Sequence, residues 1–469
     1  MTIDPFLPAH ALADRVRSGD ITAQETTTLF LDRIRTFNGS INAFTDVTSE
    51  RAMRQARAID RSRAAGEPLG PLAGVPFAAK NLFDVAGLPT RAGSKINRER
   101  SPAVRDALLI ERLSRAGAIL VGALNMGEYA YDFTGENAHD GACRNPHDLS
   151  RMAGGSSSGS GAATAAGLSP ISLGSDTNGS IRVPSSLCGI FGLKPTYGRL
   201  PRTGTFPFCE SLDHLGPFAR TSRDLALAYD AMQGFDPGDA ACAPRPVEAV
   251  SAALDHGVET LRIAIAGGHF DASGMEAAAD AVGVVSQALG ANWTLAVDGA
   301  AEARAAAFLI TNAESAAFHL GRLRARADDF DPETRDRFLA GALLPAAWLT
   351  QAQRVRHWFH GRMMEIFRDV DVLIAPATPC VAPSIGQTTM TLRGETVAVR
   401  PNLGLFSQPV SCIGFPVVTV PVMSGTMPIG VQLIAAPWRE DLCLRAAYAL
   451  ERLGIAVARP PSGMAPAGA

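Results

Sequence analysis

Two serine-bearing turns and one lysine could act together on a carbonyl. The first turn is Gly154-Gly155-Ser156-Ser157-Ser158-Gly159-Ser160, and the second is Gly174-Ser175-Asp176-Thr177-Asn178-Gly179-Ser180-Ile181-Arg182-Val183-Pro184, which places Ser180 24 residues after Ser156. Lys80 stands upstream, at the end of Gly74-Val75-Pro76-Phe77-Ala78-Ala79-Lys80. A serine hydroxyl attacks a carbonyl poorly until a base takes its proton, and a lysine is a base only when neutral. Lowering a lysine pKa from ~10.4 to ~7 costs about 4 to 5 kcal/mol, which desolvation at a buried strand end supplies. Gly179, just before Ser180, lets backbone amides turn toward a developing oxyanion, worth ~3 to 4 kcal/mol per donor, so Thr177, Asn178, Gly179 and Ser180 are the expected oxyanion hole.

Other chemistries fit this stretch less well. A flexible glycine-serine linker is not interrupted by an Ala-rich helix, an apolar strand and Asp176-Thr177. Phosphate cradling needs Gly-x-x-x-x-Gly-Lys-Ser/Thr or Gly-x-Gly-x-x-Gly between strand and helix, and neither occurs here. Gly155-Ser156-Ser157-Ser158-Gly159 does satisfy the hydrolase elbow pattern around Ser157. The segment before it, from Asp148 to Ala153, lacks the apolar strand an elbow requires. The one tempting histidine, His214, has Asp213 as its immediate neighbour, and an adjacent aspartate seldom orients an imidazole.

The elements that must position these groups read as alternating strands and helices. Thr22-Ala23-Gln24-Glu25 is a capping box before a helix over Thr26 to Arg35. Strands are expected at Ile41–Thr45, Leu72–Ala79, Ile119–Gly122, Ile171–Leu173, Leu261–Ala266, Trp293–Val297, Asp371–Ala375, Val417–Val420 and Gly430–Ile434. Arg199 to Pro217 reads as turn-rich. Ala300 to Arg368 is helical in pattern, broken near Asp328 to Pro332 and at Pro345, and is the expected cap over one edge of the sheet. The predicted organisation is one unit over 1–455, with a core at 74–220, the cap at 300–370 and a tail at 456–469.

At 469 residues and a net charge of −3, the chain offers no general attraction for nucleic acid or an anionic membrane. Seven scattered cysteines without a Cys-x-x-Cys pair argue against a disulfide framework or a zinc site. Met1-Thr2-Ile3-Asp4-Pro5 opens without a signal-peptide pattern, and no apolar run approaches the ~18 residues of a membrane span, so a cytoplasmic location is expected.

The three stretches that carry Lys80, Ser156 and Ser180 together resemble the amidase signature family. So do Asn125-Met126-Gly127-Glu128, Arg144-Asn145-Pro146-His147-Asp148 and Pro428-Ile429-Gly430-Val431-Gln432-Leu433. The resemblance implies an α/β amidase-signature fold, a mixed and mostly parallel central sheet covered by helices on both faces. It also implies Ser180 as nucleophile, Ser156 as a bridging serine in a cis peptide and Lys80 as general base, with no metal or cofactor. Asn178 and Asn81 depart from the family's common Gly and Asp. With Ser94-Lys95-Ile96-Asn97-Arg98, Leu187 to Thr196 and Asp230 to Gly234, they resemble its carboxybiuret hydrolase branch.

That branch implies an acyl-enzyme hydrolysis of a terminal urea-like amide on a small carboxylated substrate, 1-carboxybiuret or biuret, releasing ammonia. It implies a homodimer or heterotetramer, with a small helical AtzG-like partner subunit. Arg337 sits where amidotransferases use an arginine for a substrate carboxylate, and Gly155 is expected to touch substrate as well. Arg182 reads as a structural ion-pair partner despite its closeness to Ser180. A broader amidase for small aliphatic or ureido amides, and an amidotransferase-like subunit, remain as alternatives.

Overall fold

The computed structural model describes residues 3–464. Eleven strands form one sheet: β1 (Phe44–Val47), β2 (Pro76–Lys80), β3 (Ile119–Leu124), β4 (Ile171–Asp176), β5 (Phe191–Lys194), β6 (His214–Ala219), β7 (Ile263–Gly268), β8 (Thr294–Val297), β9 (Val372–Pro376), β10 (Val417–Ser424) and β11 (Met427–Ile434). Their spatial order is β1-β3-β2-β4-β6-β5-β10-β11-β9-β7-β8. Parallel pairs join β3, β2 and β4 on one side and β9, β7 and β8 on the other. Both groups are linked through helices, as parallel neighbours require.

The sheet is mixed, as expected, but its middle corrects the expectation of a mostly parallel arrangement. From β4 through β6, β5, β10 and β11 to β9, every pairing is antiparallel. Much of the difference comes from β6, a strand hidden in a segment that reads as turns because Gly216 and Pro217 interrupt it. All six of its residues are buried. A Cβ at Gly216 would collide with the Leu193 carbonyl on β5, so the glycine allows that close approach. A second contribution is the β10–β11 hairpin, closed by Gly425-Thr426 with Gly425 at φ +60°.

Helices build the rest. The capping box forms as predicted, Glu25 N donating to Thr22 Oγ1 and Thr22 N to Glu25 Oε2, and the helix it starts runs Ala23–Ile41. Two short helices flank the serine turns: α1 (Ser158–Ala165) and α2 (Arg182–Cys188). Every residue of α1 is buried, and a Cβ at Gly159 would run into the Ala43 and Asn125 backbones. Small side chains there are therefore a packing requirement and not the signature of a linker. The cap forms three helices, α3 (Ala300–Arg326), α4 (Pro332–Ala342) and α5 (Ala346–Ile366), broken where expected. A further short helix, α6 (Gln408–Ile413), packs beneath α3.

The expected tail is packed over its first part. Ala456 and Met464 are buried, and the Met464 carbonyl accepts Arg33 Nη2 at 3.0 Å. The remainder, 465–469, lies outside the described residues. Among the described residues no helix is long and apolar enough to cross a membrane.

Candidate active site

Strand register brings the lysine and the serines together. Because β2 runs parallel to β4, with Ala79 opposite Leu173, the ends of both strands emerge side by side. Lys80 ends β2 and Ser175 lies near the end of β4, and Lys80 Nζ donates to Ser175 Oγ at 2.9 Å. The Gly155–Ser156 peptide is cis, and the turn into α1 sets Ser156 Oγ and Ser157 Oγ at 2.7 and 3.0 Å from the same nitrogen.

Lys80 is fully buried, and that burial pulls its amine down to about 7 against the opposing fields of Asp213 and Asp176. A neutral amine has two N–H groups and one lone pair. Ser157, which donates to the Ser175 carbonyl at 3.0 Å, and Ser175 suit the two N–H groups. The lone pair then remains for the Ser156 hydroxyl. Ser157 and Ser175 lie within the stretches read from sequence, but nothing there gave either a role beside the lysine.

A buried ion pair shapes the second turn. Asp176 and Arg182 are both fully buried, with Arg182 Nε and Nη2 each 2.9 Å from the carboxylate. Burial alone would raise the Asp176 pKa, but Arg182 outweighs it and holds the carboxylate well below its usual range. Asp176 Oδ2 also accepts the amide of Ile181 at 3.1 Å, closing residues 177–180 into a loop. Arg182 Nη1 continues to the Ser407 carbonyl and to Gln432 Oε1, which gives the Pro428–Leu433 motif its part in the site. Arg182 is thus the structural ion-pair partner predicted. Replacing Asp176 with Asn strands a buried guanidinium and should cost about 3 to 5 kcal/mol, read as a lower urea midpoint at unchanged slope.

Within the loop, Thr177 Oγ1 donates to Asp213 Oδ1 at 2.6 Å, and the Asn178 carbonyl accepts Ser407 Oγ at 2.7 Å. Among the described residues, no acceptor takes the amides of Thr177, Asn178, Gly179 or Ser180. Gly179 has φ +140°, and a Cβ there would strike the Ser407 side chain. Ser180 is 3% exposed, and its hydroxyl is engaged by no hydrogen bond among the described residues. No formed hydrogen bond links Ser156 to Ser180.

Ser180 opens onto a cavity of about 640 Å³ beneath the cap. Along α3, Ala301, Arg304, Ala305, Phe308 and Thr311 recur at helical spacing and face it. Arg337 on α4 also lines it, lying over the Tyr131 ring at 5.3 Å and donating to the Tyr131 carbonyl at 3.3 Å. Glu128 holds α4 in place: it accepts Asp331 N at 2.7 Å and Thr334 Oγ1 at 2.8 Å, at the helix start. This is what the Asn125–Glu128 motif contributes.

Arg304, on α3, is a lining residue that no sequence motif marks. Its Nε donates to Gln408 Oε1 and its Nη2 to the Pro401 carbonyl and Asn402 Oδ1, all neutral, and among the described residues no carboxylate pairs with it. Gly155 does not line the cavity; its amide donates to the Phe133 carbonyl at 2.8 Å, and its flank meets Asp132 and Gly135.

The Ser-His-Asp alternative does not assemble. His214 Nδ1 faces the Leu212 and Asp176 carbonyls at 2.6 and 3.1 Å, and Asp213 is occupied by Thr177 and by the amides of Phe208 and Cys209. Asp148–Met152 does form a strand, but in a separate two-stranded sheet with Arg144–Asn145 and not in the main one.

A sequence profile of the Amidase family matches residues 25–444. The chain belongs to the amidase family. Within this family it is 53% identical over 448 residues to the AtzE chain of the 1-carboxybiuret hydrolase of Pseudomonas sp. (strain ADP), covering 95% of this chain and 98% of that one. It is 35% identical to a glutamyl-tRNA(Gln) amidotransferase chain of Moorella thermoacetica, over 95% and 96% of the two chains. A solved structure described as a vestigial protein complex that reveals the evolutionary origins of an s-triazine catabolic enzyme superposes with a TM-score of 0.96. That likeness is at 52% identity and covers 97% of this amidase and 100% of the other chain.

Proposed function

We propose that this amidase hydrolyses the terminal amide of 1-carboxybiuret, releasing ammonia, with Ser180 as nucleophile, Ser156 as proton bridge and Lys80 as base. The observation that carries the reading is a buried amine at about 7, held 2.7 Å from Ser156 Oγ, behind a cavity floored by Ser180. Identity of 53% to a chain of a 1-carboxybiuret hydrolase supports the substrate.

In this reading Lys80 takes a proton by way of Ser156 as Ser180 Oγ bonds to the carbonyl carbon, and the free amides of the 177–180 loop receive the oxyanion. The loaded lysine returns the proton to the departing nitrogen, the C–N bond breaks and ammonia leaves. Water, deprotonated by the same relay, then cleaves the acyl ester and restores Ser180. Seating the bridging serine between amine and nucleophile would need the Ser180 side chain to turn toward Ser156 once substrate is bound.

The cavity suits a small anion. Its two arginines, Arg304 and Arg337, have no carboxylate partner among the described residues, and a substrate carboxylate would supply one. Arg337→Leu should raise KM for carboxylated substrate about 10- to 100-fold while leaving KM for a neutral amide within about threefold. Unaltered constants for both substrates would remove Arg337 from binding.

Likeness to a chain solved in a protein complex supports a partner subunit. In the same proposal this partner is small and helical, and the enzyme works in the cytoplasm. The decisive test of the activity is ammonia release from 1-carboxybiuret, biuret and small aliphatic amides, with and without the partner. Turnover is expected to favour the carboxylated ureide. A preference for aliphatic amides would contradict the assignment.

A further inference from the structure

Asn178 lies two residues before Ser180, and its side chain is only half engaged. Its Nδ2 donates to Thr311 Oγ1 on α3 at 2.8 Å, which ties the carboxamide to the cap. Its Oδ1 is buried with no hydrogen-bond partner among the described residues, although the residue lines the cavity and is 8% exposed. A buried acceptor is normally satisfied, and leaving one open is costly. Among the described residues that line the cavity, Tyr131 also carries a buried, unpartnered atom, its hydroxyl, which is itself able to donate. Asn178 Oδ1 can only accept.

We infer that Asn178 is a specificity-determining residue whose Oδ1 accepts the N–H on the acyl side of the scissile carbonyl, so that the site selects ureides over isosteric aliphatic amides. This role rests on the proposed function and extends it from one substrate to a chemical class. A ureide carries N–H on both sides of the carbonyl that Ser180 would attack. An aliphatic amide has a methylene on the acyl side. In the first, the open acceptor is filled as the oxyanion settles among the 177–180 amides. In the second, it stays buried and unpaired against CH₂, the situation that gives polar sites their strongest discrimination. Because Oδ1 is shielded from the open cavity, the substrate N–H would meet it as the carboxamide turns about its Thr311 hydrogen bond.

The test uses a pair that differs only at that position, N-carbamoylglycine and succinamate. Each is assayed for ammonia release and as a competitive inhibitor of 1-carboxybiuret turnover, with wild-type enzyme, Asn178→Ala and Thr311→Val. The readout is the ureide-to-amide ratio of kcat/KM, or of inhibition constants, so any loss common to both compounds cancels. In Asn178→Ala the ratio is expected to fall about 10- to 100-fold, and in Thr311→Val, which frees the carboxamide, by a smaller factor in the same direction. Thr311→Val carries the test if Asn178→Ala does not fold. Wild-type turnover of 1-carboxybiuret with a ratio that stays constant or rises in the variants would overturn the inference alone. Failure of the wild-type enzyme to release ammonia from 1-carboxybiuret would overturn the proposed function and the inference with it.

Discussion

Ser180→Ala should reduce kcat/KM for ammonia release by at least about 10⁴-fold while leaving the unfolding transition within about 0.5 kcal/mol of wild type. The hydroxyl makes no hydrogen bond among the described residues, so its removal strands no partner. The loop around it is held by Asp176, Arg182 and Ser407, none of which depends on Ser180 Oγ. A stability change with modest loss of activity would mean that the hydroxyl is structural. Ser157→Ala separates the two serine patterns in the glycine-rich turn. Removing an anchor of the lysine should slow turnover without abolishing it.

Lys80 carries the second large effect, and it has a pH signature. With the buried amine at about 7, the neutral fraction grows as pH rises, so kcat/KM should climb tenfold per pH unit below 7 and level off above it. Lys80→Arg cannot deprotonate and should lose about 10³-fold or more at every pH. The same shift has a stability consequence. Between pH 7 and 10.5 the unfolded chain holds a proton that the native amine has shed, so stability rises with pH across that window. The gain from pH 7 to 9 is about 2 kcal/mol per such lysine. Lys194, also fully buried and also pulled to about 7, adds a second share. Denaturant midpoints at the two pH values should therefore differ less in Lys80→Met than in wild type.

How much of this was legible beforehand depended on whether a residue's role is local. Glycines that let two turns approach and a lysine at the end of an apolar run are patterns along the chain, and the structure unites them. The cap's breaks at Asp328–Pro332 and Pro345 were legible for the same reason, since a proline and a capping aspartate act on their own helix. Strand β6 was not, because Gly216 and Pro217 signal a turn unless the neighbouring carbonyl that demands the glycine is known. Its absence from the reading made the sheet look more parallel than it is. Arg304 escaped too: in Glu302-Ala303-Arg304-Ala305 it looks like any solvated helix charge. Its meaning comes from Gln408, Pro401 and Asn402, about a hundred residues away in sequence. The one local hint was an arginine sharing a helical face with Ala301, Ala305 and Phe308.

The measurement that bears most directly on the lysine-served serine is the pH dependence of covalent labelling by a small fluorophosphonate, with the adduct located by peptide mass spectrometry. The account predicts a single adduct on Ser180, formed at a rate that rises through one ionisation near pH 7, and no adduct in Lys80→Arg. Labelling at Ser157, or a rate that is flat from pH 5 to 9, would contradict it.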